Sequence, residues 1–170
     1  MSDTPPESNT NESETQDIGT VPQSPVIIHA QYLKDLSFEN PNAPDSLKGA
    51  SLPPEVDINI SVDSVRLEHP ELKDFFEVIL TIEASAVRDG KNLFIAELKY
   101  GAAVSIHDVE EARHHPILFV EVPRTLFPFA RMVLANSTQW GGFTPLQLAM
   151  VDFRAMYFKR FGDDINKNQS

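Results

Sequence analysis

Glu110, Glu111, His114 and His115 come nearest in this chain to a metal site. Positions i and i+4 share a helix face, so Glu110 would meet His114 and Glu111 would meet His115, offering oxygen and nitrogen donors of the kind metals take. The run ends at once in Pro116, and its preferred reading is a solvated, charged first turn. No metal and no cofactor are expected. His29, His69 and His107 are scattered and read as surface or sheet residues, not general bases. Carboxylates abound on the strand-like segments, where they read as solvent-facing alternation and not as an acid–base pair. The chain has no Gly-rich phosphate loop, no paired-His motif and no nucleophile elbow, so no enzyme is expected.

The carboxylates are positioned by alternating strands. From Asp74 to Ile106 two such strands flank Arg88-Asp89-Gly90-Lys91. Phe76, Val78, Leu80, Ile82, Ala84 and Ala86 share one face of the first, and Glu77, Ile79, Thr81, Glu83 and Ser85 the other. In the second, Phe94, Ala96, Leu98 and Tyr100 alternate with Ile95, Glu97 and Lys99. A strict two-residue Asp-Gly loop would set Ile82 against Glu97 and mix the faces. A three-residue loop, Arg88-Asp89-Gly90, pairs Val87 with Lys91 and Ile82 with Ala96, and is the expected register. The product is one apolar face and one acidic and aliphatic face, suited to touching protein.

An earlier strand, Val26 to Asn40, places Ile28, Ala30, Tyr32, Leu36 and Phe38 on one face, and Leu33, Asp35, Ser37 and Glu39 on the other. Pro41-Asn42-Ala43-Pro44 stops it by removing ladder donors. After a long connection, Val56, Ile58, Ile60 and Val62 alternate with Glu55, Asp57, Asn59, Ser61 and Asp63. Beyond Ile106 the period becomes helical. Asp108 is the expected N-cap of a first helix. Pro116, Pro123 and Pro128 interrupt the next stretch, and Pro128 can open a helix to about Thr138 that ends at Trp140-Gly141-Gly142-Phe143. A last helix starts at the N-cap Asp152, carries Phe153, Met156, Tyr157 and Phe161 as a stripe, and meets a natural C-cap at Gly162. Core packing must explain most of these aromatics, but Phe158 lies off that stripe, which leaves a subunit interface or a groove open beside plain core. Strands followed by helices, without alternation, indicate an α+β fold: a four-stranded antiparallel sheet with helices packed on one face.

The chain has 170 residues, enough for one domain with a sizeable core, and no cysteine. Its net charge of −11 opposes a nucleic-acid partner and favours a basic protein partner. No stretch approaches the length of a bilayer span and nothing suggests secretion, so a soluble cytoplasmic protein without membrane insertion is expected. Residues 1–25 carry five acids and no base and read as a disordered tail. Asp35 to Glu83 is net −8 and Arg113 to Arg160 net +4, so the sheet half is acidic and the helical half mildly basic.

Four motifs occur in order: Lys34-Asp35-Leu36-Ser37-Phe38-Glu39-Asn40-Pro41-Asn42-Ala43-Pro44, Pro54-Glu55-Val56, Leu126-Phe127-Pro128-Phe129-Ala130-Arg131, and Gly142-Phe143-Thr144-Pro145-Leu146-Gln147-Leu148. Together they resemble the bacterial protein-export chaperone family SecB, over about Val26 to Phe161. The resemblance implies a SecB-like domain at 26–162 with a short tail at 163–170, assembled as a homotetramer, a dimer of dimers. It implies an ATP-independent holdase that binds unfolded precursor proteins, keeps them competent for translocation and delivers them to the ATPase SecA. The family's SecA-binding positions fall on Asp35, Glu39, Ile95 and Glu97. Its client-groove positions fall on Val56, Ile58, Ile60, Tyr157 and Phe161. The tryptophan common in the family's connection is missing here, with Leu47 or Leu52 as substitutes. The C-terminal tail carries only two acids, Asp163 and Asp164, which weakens the case for a second SecA contact there. The competing reading is a SecB-like chaperone dedicated to one partner, such as the antitoxin of a toxin–antitoxin pair.

Overall fold

The computed structural model describes residues 24–49 and 52–167, with side chains to Gly162. Residues 1–23 of the expected acidic tail lie outside that range. Four strands, β1 (Val26–Glu39), β2 (Glu55–Leu67), β3 (Phe75–Arg88) and β4 (Lys91–Ile106), form one antiparallel sheet in the order β1-β4-β3-β2. β1 and β2 are therefore its edges.

The β3–β4 hairpin corrects the expected register. The loop is the two-residue Asp89-Gly90, with φ of 51° and 75°, the doubly left-handed turn that an Asp-Gly pair favours. Arg88 pairs with Lys91 and Val87 with Asn92, and a bulge then shifts Ala86 onto Phe94. That one inserted residue, Leu93, restores the alignment of faces that the tight loop would have spoiled. Ile82 lies opposite Leu98 and Leu80 opposite Tyr100, two residues from the expected partners, with the faces as predicted.

β1 departs from simple alternation. Its pairing with β4 slips between Ile28 and Ala30 and again between Leu33 and Asp35. Each slip turns the following side chains over. Leu36 and Phe38 stay on the helix side, but Ala30 and Tyr32 turn to the outer face and Leu33 to the helix side. Gly101 lies opposite Tyr32, and the ring fills the space that a side chain at 101 would need.

One face of the sheet is covered by helices. A 3-10 turn, Glu111–Arg113, leads into α1 (His114–Pro116), a π turn (Ile117–Glu121) and α2 (Val122–Trp140) as one continuous run. The prolines do not break it. Pro116 and Pro123 bracket the π turn, where the helix absorbs an extra residue, and Pro128 lies inside α2. Asp108 is not a cap; it holds a left-handed φ of 54° in the loop before the turn. α2 ends as expected at Gly141 and at Gly142, whose φ of 88° suits glycine. Asp152 does cap α3 (Phe153–Lys167), accepting from the Ala155 N–H at 2.9 Å, and the helix runs past Gly162.

α2 lies on β3 and β4. Val78, Leu80, Ile82 and Leu98 from the sheet are wholly buried against Leu126, Phe127 and Leu134. The Asn40-to-Pro44 motif is a clip. Asn40 donates to the Gly141 carbonyl and accepts from Ser46, while Asn42 donates to the Asn92 carbonyl. Arg88 then holds the carbonyls of Ser46 and Lys48.

On the outer face Tyr32 donates to Glu77 at 2.5 Å, and Lys34 donates to both Glu77 oxygens at 2.7 and 2.8 Å. This cluster ties the bulged strand across β4 to β3. Lys34 first, and Tyr32 next, hold the Glu77 carboxyl below its ordinary value. Burial, and then Glu77, push the Tyr32 phenol up to about 12. The depressed Glu77 contributes stability that is present at neutral pH and lost as pH falls through its lowered value. The raised Tyr32 contributes stability that is complete below about 10, the free phenol's value, and lost as pH rises through about 12. Ultraviolet titration is expected to show a tyrosine ionising near 12. In Glu77→Gln that transition should move down, yet stay above the free value because burial is the larger cause. A transition unmoved by the substitution would contradict this account.

Candidate functional site

The helix side of the sheet is not covered to its edge. Beyond α2, β2 presents Ile58, Ile60 and Val62 to a cleft of about 690 Å³ closed on the other side by Met156, Tyr157, Arg160 and Phe161 of α3 and at one end by Phe119 of the π turn. Val62 is buried, Ile60 is half-buried and Ile58 remains 40% exposed. Val56, on the same face and 43% exposed, continues the apolar surface past the cleft's rim. Four of the five expected groove residues, Ile58, Ile60, Tyr157 and Phe161, thus line one cavity, with Val56 beside it. Leu47 packs instead at Gly142, near the end of α2.

Sequence reasoning missed part of this cleft. Phe119 meets Phe161 edge-on, with centroids 5.2 Å apart, and stacks on His115 at 4.6 Å. His115 Nδ1 shares a hydrogen with the Tyr157 hydroxyl at 2.9 Å. Desolvation, and then the positive Arg160, hold the His115 imidazole below its ordinary value. Burial pushes the Tyr157 phenol up. Arg160 lies over both Phe119 and Phe161, with its guanidinium 5.7 and 5.0 Å from their centroids. The signal in the sequence was the i, i+4 pair His115 and Phe119, hidden by treating Pro116 as a break.

The suspected metal group does not converge. His114 is buried, bonded to the Val109 carbonyl and edge-on to Phe76. His115 packs against Phe119, Tyr157 and Phe161, and exposed Glu111 points toward Arg66. Among the described residues no three His, Asp or Glu side chains gather as ligands. His29 and His107, read as scattered, both bond the buried Ser105 hydroxyl at 2.7 Å and so tie β1 to the end of β4.

The opposite face carries the expected docking residues in ordered rungs. Glu39, Ile95, Ser85 and Asp57 lie side by side across all four strands. The next rung is Ser37, Glu97, Glu83 and Asn59, and the one after is Asp35, Lys99, Thr81 and Ser61. Asp35, Glu39, Ile95 and Glu97 therefore share one surface, and Asp57 and Glu83 join them. Glu83 and Glu97 are directly opposed, a like-charge pair that weakens a sheet. Asn59 bonds Glu83 at 3.0 Å, and Lys99 bonds Glu97 at 3.0 Å. Glu97 in turn raises the Lys99 ammonium above its ordinary value. Ile95 stays 39% exposed among these charges. Among the described residues no helix is long and apolar enough to cross a membrane.

Known proteins match this architecture. The family described as preprotein translocase subunit SecB matches residues 20–163. The chain is 41% identical over 140 residues to the protein-export protein SecB of Bartonella quintana, covering 82% of this chain and 86% of that one. It is 46% identical over 138 residues to that of Rhodospirillum rubrum, covering 81% and 83%. Among solved structures, the SecB-like chaperone of Mycobacterium tuberculosis, in complex with an antitoxin peptide, superposes with a TM-score of 0.57. At 16% identity, over 74% of this chain and 90% of that one, the likeness is one of fold. With its family matched over nearly all the described residues and its relatives sharing more than two fifths of their sequence with it, this chain belongs to the SecB family of protein-export chaperones.

Proposed function

We propose that this chain is an ATP-independent holdase that keeps unfolded precursor proteins competent for export and hands them to SecA in the cytoplasm. The observation that carries the reading is the division of one sheet into two surfaces. The helix side offers an apolar, aromatic-ended cleft open along an edge strand, and the outer side offers an acidic plane around an exposed isoleucine. An extended apolar segment suits the first, because burial of apolar surface is non-directional and makes little demand on sequence. A small basic element suits the second, through charge complementarity that salt would weaken. The export relatives favour this reading over an antitoxin-dedicated chaperone, which has support only from a distant likeness of fold. The direct test is whether the purified protein keeps an unfolded precursor soluble without nucleotide; aggregation at the rate of the chaperone-free control would reject it.

Ile58 is the cleaner groove test, because Tyr157 is only 8% exposed and serves the core as well as the cleft. Ile58→Ala is expected to raise the client off-rate about fivefold, from the loss of roughly 1 kcal/mol of apolar burial. Its stability should change far less than the 2–5 kcal/mol or so typical of a core truncation. A large drop in melting temperature with unchanged client affinity would assign Ile58 to the core.

For the docking face, Glu97→Lys and Asp35→Lys should each weaken SecA binding at low salt about tenfold or more while client binding survives. Neither should alter stability beyond about 0.5 kcal/mol, because both are surface strand positions. SecA affinity equal to wild type at low salt would remove these residues from the patch.

Assembly completes the reading. Thr125, Phe129, Met132, Asn136 and Trp140 recur at spacings of three and four along one side of α2, with Phe129 at its margin stacked on Tyr100 of β4. Phe129, Met132 and Trp140 are 42, 56 and 79% exposed. A stripe of this kind is what a helix buries against another helix, and it supports a homotetramer built as a dimer of dimers. Light scattering at micromolar concentration is expected to give the mass of four chains. Met132→Glu should shift it to a smaller species, and a monomer in the wild type would refute the assembly.

A further inference from the structure

Arg160 is the side chain in the cleft that the groove reading leaves without a role. Its Nη1 donates to the Val62 carbonyl of β2 at 2.6 Å, and its Nη2 lies 3.4 Å from the Asp63 carboxylate. β2 is an edge, and a carbonyl reached by a side chain from outside the sheet points away from β3. In a strand, backbone groups that share a direction recur every second residue, as side chains do. The outward-pointing backbone groups of β2 therefore belong to Val56, Ile58, Ile60 and Val62, the same residues whose side chains form the apolar floor. An extended polypeptide laid along this edge would bond the sheet and bury its side chains on that floor at once. Among the described residues only the Val62 carbonyl of this row has a partner from outside the sheet, and that partner is Arg160.

We propose that Arg160 is a displaceable plug that determines how far a client strand can extend along β2, and so which segments the cleft prefers. It rests on the groove reading above. In the empty protein its guanidinium stands where the N–H of an added strand would stand at Val62. It lies over the rings of Phe119 and Phe161 at one end of the cleft. The side chain is half exposed, so it can swing into solvent without unpacking α3. A short segment binds along Val56 to Ile60 without disturbing it. A longer one must break the bond to Val62 and uncover the two rings, and it succeeds only if it brings its own backbone donor and an apolar or aromatic side chain to replace what it displaces. Among segments long enough to reach Val62, those that bring an apolar or aromatic side chain to that end are thus admitted over those that do not, while short segments are unaffected.

The test uses the full chain and a synthetic extended peptide of about ten residues, rich in Val and Phe. Arg160→Met keeps the unbranched stem against the rings but removes the donors. Arg160→Lys keeps the charge but cannot hold the fork to Val62 and Asp63 together. The peptide is expected to bind Arg160→Met roughly three- to tenfold more tightly than wild type, since one competing hydrogen bond is gone. Arg160→Lys should fall between. A peptide of half that length, which stops short of Val62, should bind all three proteins alike. Residue-resolved amide exchange should show protection of Ile58 and Ile60 in every complex with the short peptide, spreading to Val62 with the long one. Affinity for the long peptide that is equal or weaker in Arg160→Met, or bound peptide without protection of Ile58 and Ile60, would overturn the plug while leaving the groove in place. Failure of both peptides to bind any of the proteins would overturn the groove itself.

Discussion

The width of an α-helix limits how much of this sheet can be covered. A helix with its side chains is about 10 Å across and strands lie about 4.8 Å apart, so one helix covers roughly two strands. α2 lies on β3 and β4, the central pair, and there the side chains are wholly buried. The edge strands are left over. β2 has the sequence of a buried strand on its helix side, yet only Val62, nearest α3, is sequestered, and exposure rises through Ile60 to Ile58 and Val56. The cleft is the uncovered remainder of a sheet too wide for its helix, and α3 closes it on one side without filling it.

The same pleat that makes the cleft separates the two surfaces. Asp57 and Ile58 are neighbours in sequence and point to opposite sides of the sheet, as do Ile95 and Ala96. A protein that must hold an apolar chain and also present acids to a basic partner has to keep the two apart, since a carboxylate in the cleft would be desolvated by any client. Alternation does this without extra structure. The opposition of Glu83 and Glu97 weakens the sheet, and packing does not call for it. Lys99 and Asn59 offset it in part. The density of charge on those rungs is therefore not explained by stability.

Much of this was legible in the sequence because it depends on period two. The faces of β2, β3 and β4, the antiparallel order of the hairpin and the sheet-then-helix class follow from alternation and turn chemistry, as do the shared faces of Asp35 with Glu39 and of Ile95 with Glu97, whereas the union of those two pairs came only from the family resemblance. The errors share one cause, which is that local irregularities leave no periodic trace. The tight loop and the bulge at Leu93 each moved the hairpin register by one residue from the expected pairing, and the slip near His29 turned Tyr32 over to meet Glu77. Pro116 and Pro123 looked like breaks because a π turn has no sequence signature comparable to a cap. The deep end of the cleft was hidden for a different reason. Arg160 meets Val62 across 98 residues of chain and His115 meets Tyr157 across 42, and no local pattern reports contacts at that range.

Weakness per contact is also what the geometry would supply. The cleft floor offers three or four aliphatic side chains, and its end is lined by rings already in contact with one another. Each partly exposed aliphatic residue can contribute on the order of 1 kcal/mol when covered, so one short segment would be held loosely and released quickly. A long unfolded chain differs, because once one segment is seated the next is held at high local concentration. In the proposed tetramer several such clefts would then retain an unfolded polypeptide for long periods, while any segment that could bury itself in a folded core would leave. That arrangement needs no nucleotide, because the distinction between folded and unfolded is made by the number of apolar segments still unburied.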